Sequence, residues 1–103
     1  MTSLRITVWG ENVHEHKSEK VKKVYPDGMH TVISAGLQRL IPDARVATAT
    51  LQEPEHGLTV ERLRETDVLT WWGHMAHDQV SDEVARRVQA RVLEGMGLIV
   101  LHS

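Results

Sequence analysis

The sequence predicts an α/β fold built on a parallel sheet. Short apolar runs alternate with stretches of helical periodicity, in the order strand, helix, strand, helix, strand, helix, strand. The last run, Leu98–Leu101, is apolar at every position, as in a parallel strand covered on both faces. The loops that follow the runs collect histidine and carboxylate. A chain of 103 residues suffices for one small domain.

The first strand is Leu4–Trp9, where Leu4, Ile6 and Val8 alternate with Arg5 and Thr7, and Gly10 ends it. Residues 10–23 read as a long polar loop holding Glu11, His14, Glu15 and His16, then Lys17, Lys20, Lys22 and Lys23. The lysines suit a solvated face or an anion site. Pro26 suits the first turn of a helix that runs to about Leu40. Met29, Val32, Ile33, Gly36, Leu37 and Leu40 form its apolar side, with His30 as a partly exposed surface residue. Pro42 stops it.

Arg45–Thr50 is an edge-like second strand, followed by a loop with Pro54, His56 and Gly57. Thr59 caps a short helix over Val60–Glu65, with Leu58 and Leu63 at hydrophobic-staple positions. Val68–Trp72 is the third strand, and Gly73–Val80 its loop. Ser81 caps the third helix, whose first turn holds Asp82 and Glu83. Its buried stripe is Val84, Ala85, Val88 and Val92, leaving Arg86, Arg87, Gln89, Arg91 and Glu94 mostly outside. Gly95 and Gly97 end that helix before the fourth strand.

Right-handed crossovers give the strand order 2-1-3-4, a flavodoxin-like doubly wound sheet. The first helix then covers one face, and the second and third cover the other. The fourth strand is left as an apolar open edge, bare on one face. The expectation is a sheet incomplete at its C-terminal side: residues 1–103 as the N-terminal part of a single longer domain, or a chain covered by a partner.

Twelve basic against 14 acidic residues give a net charge of −2, which argues against a nucleic-acid surface. The absence of cysteine excludes disulfides, thiolate metal sites and a cysteine nucleophile. No apolar run approaches the ~20 residues that span a bilayer. Residues 1–6 run into a strand pattern without a secretory signal's apolar core. A soluble, cytoplasmic protein is expected, with no membrane or nucleic-acid partner; a homo-oligomer is admitted.

In such a sheet, ligands bind beyond the carboxyl ends of the strands, where the strand order reverses. Six of the seven histidines fall in loops at that edge: His14, His16, His56, His74, His77 and His102. Two chemistries are open. Imidazoles with a carboxylate bind a divalent metal such as zinc, and His74-x-x-His77 places two ligands on one turn. Alternatively, one histidine with Glu11 or Glu15 forms an acid/base pair for sugar or carbonyl chemistry. The plain reading of any single histidine is a polar loop residue satisfied by water and backbone. Trp9 and Trp72 end their strands and border the crevice, while whichever of Trp71 and Trp72 faces the helices completes the core.

Several segments are specific. They are Val8-Trp9-Gly10-Glu11 with His14-Glu15, Tyr25-Pro26-Asp27-Gly28, Ala49-Thr50-Leu51, and Glu53 to Thr59. Trp71-Trp72-Gly73-His74-Met75-Ala76-His77-Asp78 and the run from Leu93 to Leu101-His102-Ser103 complete them. Together they resemble the ThuA-like (trehalose utilisation) family over nearly the whole chain. The resemblance implies a class I glutamine-amidotransferase-like fold and a role in using trehalose or related disaccharides. Family members are usually more than twice as long. Their amidotransferase relatives carry a cysteine at the turn that here holds His102 and Ser103, so glutamine hydrolysis through a thiol is not expected.

The family's residues carry over as Glu11, His14, Glu15, His74, His77 and His102. The combined assignment takes Glu11, Glu15 and His102 as catalytic and Trp9, Trp72 and Ser103 as substrate-binding. It takes His14, His74 and His77 as metal ligands, with zinc the metal. The expected function is processing of a modified disaccharide. The alternative is a non-catalytic sugar- or partner-binding module on an amidotransferase-like scaffold, inactive as this fragment.

Overall fold

A computed structural model describes residues 3–102, apart from the side chain of Glu15. Four strands, β1 (Arg5–Gly10), β2 (Arg45–Thr50), β3 (Val68–Trp72) and β4 (Gly97–His102), form one sheet in the order β2-β1-β3-β4. Every pairing is parallel, as the alternation of strands and helices requires. Between β3 and β4 the register shifts by one residue: Trp71 stands opposite Val100, but Trp72 stands opposite His102, and Leu101 is passed over.

Among the described residues, five α-helices connect the strands: α1 (His14–Lys17), α2 (Glu19–Val24), α3 (Met29–Leu40), α4 (Val60–Arg64) and α5 (Asp82–Leu93). Side-chain alternation in β1 divides the core. Ile6 and Val8 face α3 and pack with Ala44, Ile33 and Leu37. Trp9 faces the other layer and packs with Leu58, Leu63, Leu69, Val84, Val88 and Met96 from the α4 and α5 side. One helix layer therefore lies on each face, as the crossovers predict. The expected caps are present: Thr59 accepts from the Arg62 N–H at 3.1 Å, and Ser81 from the Val84 N–H at 3.1 Å. Leu58 and Leu63, at the staple positions, are fully buried.

Some local expectations change. Residues 10–23 are not a continuous loop. Val13 packs against the core and leads into α1, and the Ser18 side chain caps α2. Helix α3 starts at Met29 rather than Pro26, because Tyr25–Gly28 closes a turn in which Gly28 has φ +90°. Only Ile33 and Leu37 of its apolar side join the core, and Leu40 is 79% exposed.

In α5, Ala85 and Val92 face outward while Arg87 and Arg91 do not. The Arg91 guanidinium donates to Leu63 O at 2.8 Å and Thr66 O at 2.9 Å, and Arg87 donates to Leu58 O at 2.9 Å. Short elements end in carbonyls with no partner of their own, and the arginines of the neighbouring helix supply donors to them.

β4 is an apolar edge exposed on both faces, and not on one face only as expected. Leu98, Ile99, Val100 and Leu101 are all exposed, with Ile99 at 51% and Val100 at 53%. The opposite edge, β2, carries Arg45, Thr48 and Thr50 instead. Among the described residues, no helix is long and apolar enough to cross a membrane. Apolar edges of this kind recruit further strands. Sedimentation velocity is expected to show concentration-dependent association of the chain, reduced in Ile99→Lys; a monomer across the whole concentration range would count against a role for the edge.

Candidate functional site

The carboxyl ends of the strands bring three histidines into ring contact. His14 opens α1, His74 follows β3, and His102 ends β4. The His14 and His74 rings stack with centroids 4.5 Å apart, and His102 meets His74 edge-on at 5.0 Å. Trp72 lies beside both, 5.9 Å from His74 and 5.3 Å from His102. His14, His74 and His102, distant in sequence, thus share one patch because parallel topology places their loops on one edge. The one-residue shift in β4 is what turns His102 toward Trp72.

The histidines differ in what holds them. His102 Nδ1 lies 2.6 Å from Gly73 O. A carbonyl only accepts, so Nδ1 carries the proton and the neutral ring keeps its lone pair on Nε2. His56 is held at both nitrogens: Nδ1 donates to Leu51 O at 2.9 Å, and Nε2 accepts from the Ser81 N–H at 3.0 Å. Its carbonyl also accepts from the Trp9 indole at 3.0 Å. His56 therefore ties the loop after β2 to α5 and the core. His16 is exposed; two residues beyond His14 on a helix, it cannot share that ring's face. His77 lies against Gly73 and Trp71, where a Cβ on Gly73 would stand 2.9 Å from His77 Cε1.

His30 is partly exposed on α3, as expected, and its Cβ would lie 3.2 Å from a Cβ on Gly10. Two glycines, Gly10 and Gly28, make room for its ring.

The tryptophans separate cleanly. Trp9 is 1% exposed and stacks on Trp71 with centroids 3.9 Å apart, so both belong to the core on the α5 side. Such a pair contributes about 0.5–1.5 kcal/mol beyond its buried area. Trp9 thus lies inside the protein rather than on the crevice wall, and Trp72 alone reaches the rim. Ser103 and the side chain of Glu15 lie outside the described residues.

Glu11 is 1% exposed. Its two carboxylate oxygens accept from consecutive backbone N–H groups, Met75 at 2.9 Å and Ala76 at 3.0 Å. Burial by itself would raise its pKa. The N–H groups of Met75, His74 and Ala76, and the charge of His77, outweigh that and hold the carboxyl below its usual range. Glu11 is therefore a buried carboxylate whose ionised form is favoured, with each oxygen accepting one backbone N–H.

Among the described residues, no three His, Asp or Glu side chains are grouped to hold a metal ion. His14 and His74 stack face to face, and His77 does not join them in the ring cluster. A cavity of about 590 Å³ lies away from the rim and includes Arg5, Arg45, Arg62, Glu61 and Glu65 in its lining. Arg5 is paired there with Asp67, and Arg62 donates to Thr48 O. That cavity sits at the start of β1 and β2, the edge opposite to where parallel sheets carry their chemistry.

The family model described as ThuA, trehalose utilisation, matches residues 5–103. The chain belongs to the ThuA family, and with it to trehalose utilisation in general terms. No curated protein matches the chain.

A carboxyl with a depressed folded pKa stabilises the fold above its unfolded pKa, and that stability is lost as pH falls through the folded value. Glu11→Gln is expected to lower the unfolding free energy at neutral pH by roughly 1–3 kcal/mol. The gap between wild type and variant closes on acidification. Asp67 is also held low, by hydrogen bonding and charge from Arg5, but that pair is solvent-screened and common to both proteins. Urea unfolding at a series of pH values measures this, and a gap independent of pH would remove Glu11 as its source.

Proposed function

We propose that this ThuA-family chain binds a sugar at the rim around Trp72, trehalose or a modified disaccharide derived from it, and that His102 is its proton-transfer group. The supporting observation is the meeting of three imidazoles and one indole on a single patch. Sugars present C–H faces and hydroxyls. An indole face packs against the former, and imidazole nitrogens hydrogen-bond the latter. Trp72 is the platform in this reading, and His14 and His74 contact hydroxyls.

His102 has the form that a general base needs. Its Nδ1–H is held by Gly73 O, which fixes the tautomer and aims the ring. In a disaccharide carrying a ketone, the C–H next to the carbonyl is the acidic position, and Nε2 is the atom to take that proton. A cytoplasmic setting agrees with the cysteine-free composition.

One observation favours a second reading. Glu11 is buried and each of its oxygens accepts a backbone N–H, so it serves the scaffold of the rim in this reading. The rim would then serve a binding module without turnover.

Calorimetric titration with trehalose and with a keto-trehalose tests both. Trp72→Ala is expected to weaken binding at least about tenfold, ~1.4 kcal/mol. His102→Gln should retain most of the affinity and lose turnover. Unchanged affinity in Trp72→Ala would move the site away from the rim. Wild-type binding with no turnover of the keto-sugar selects the binding module.

A further inference from the structure

His74 is the ring that touches both of the others, yet the turn that carries it has little to hold it locally. Gly73 has no side chain, and His74 and Met75 are exposed. What the turn does have is two consecutive N–H groups directed at one buried carboxylate. The backbone of Glu11 is itself fixed from two sides. Its N–H donates to Trp72 O at 3.1 Å, and its carbonyl accepts from Gln52 Nε2 at 3.0 Å. The Gly73 N–H donates to His102 O at 2.9 Å. The loops after β1, β2 and β3, and the end of β4, are thereby linked in one series.

We propose that Glu11 is the positioning residue of the histidine rim: by accepting the Met75 and Ala76 N–H groups it fixes the turn that sets His74 against His14 and His102. The role deepens the sugar-site reading and rests on it for its functional meaning, but the contacts themselves need no ligand. Glu11 acts through His74; being 1% exposed, it lies beneath the rim and not on it.

The chemistry explains why a glutamate stands there. An ionised carboxylate accepts on both oxygens, whereas an amide offers one acceptor and one donor. With glutamine at this position, one N–H of the turn would confront the amide NH₂. Aspartate lacks the methylene that carries the carboxylate across to the turn.

The test is imidazole ¹⁵N–¹H spectroscopy of the full chain without sugar, comparing wild type with Glu11→Gln. The His74 ring resonances are expected to shift, and those of His14 and His102 with them. Those of His56, anchored by Leu51 and Ser81, should stay, with circular dichroism unchanged. A folded variant with unmoved His74 resonances overturns the proposal. If the variant does not fold, amide exchange in the wild type decides. Met75 and Ala76 N–H groups slowed at least about tenfold relative to an unstructured chain support the latch, and unprotected ones overturn it. Trehalose titration of the wild type is run alongside. A shift of the His74 ring in a protein that ignores trehalose supports the positioning role and sinks the sugar reading instead.

Discussion

A parallel sheet ends abruptly at its carboxyl edge. Each strand departs into its own loop, and nothing in the local sequence ties one loop to the next. In this chain the tie is an ionised carboxylate buried at the end of β1. Removing a carboxylate from water is costly unless it is hydrogen-bonded. Here two backbone N–H groups from the loop after β3 offset that cost, and in doing so they give that loop one position. The functional edge is therefore organised from beneath, by a group with almost no exposed surface.

The histidine count alone is a poor guide to chemistry. All seven imidazoles belong to one small fold, and their surroundings give them different tasks. His56 uses both nitrogens and its carbonyl to hold structure. His102 uses one nitrogen to fix its tautomer against the Gly73 carbonyl. His14 and His74 stack. His16 faces solvent. The second nitrogen of each ring separates scaffold from candidate site more sharply than sequence spacing does.

Much of the fold was legible because its signals are local. Alternation marked β1, the Trp-Trp-Gly boundary ended β3, and Thr59 and Ser81 announced α4 and α5 through their own hydroxyls. Handedness then fixed the strand order. What escaped depends on distant partners. Glu11 resembles an acid/base residue until Met75 and Ala76, 64 and 65 positions away, are seen to occupy it. Arg87 and Arg91 look solvent-facing until carbonyls on the α4 side need donors. Trp9 looked like a crevice wall because its strand ends there, but alternation sends it to the same layer as Trp71. The convergence of His14, His74 and His102 was readable from topology, whereas the stacking of their rings was not.

The slip of one residue between β3 and β4 has a consequence for how such a site can vary. Were the ladder regular, Leu101 would oppose Trp72, and His102 would turn toward the layer of α5. Straightening the strand, with no rim residue altered, would be enough to exchange imidazole for aliphatic carbon at the indole's side. Part of the edge's chemistry is thus stored as odd or even, in a count of backbone units, where a comparison of residue identities alone would overlook it.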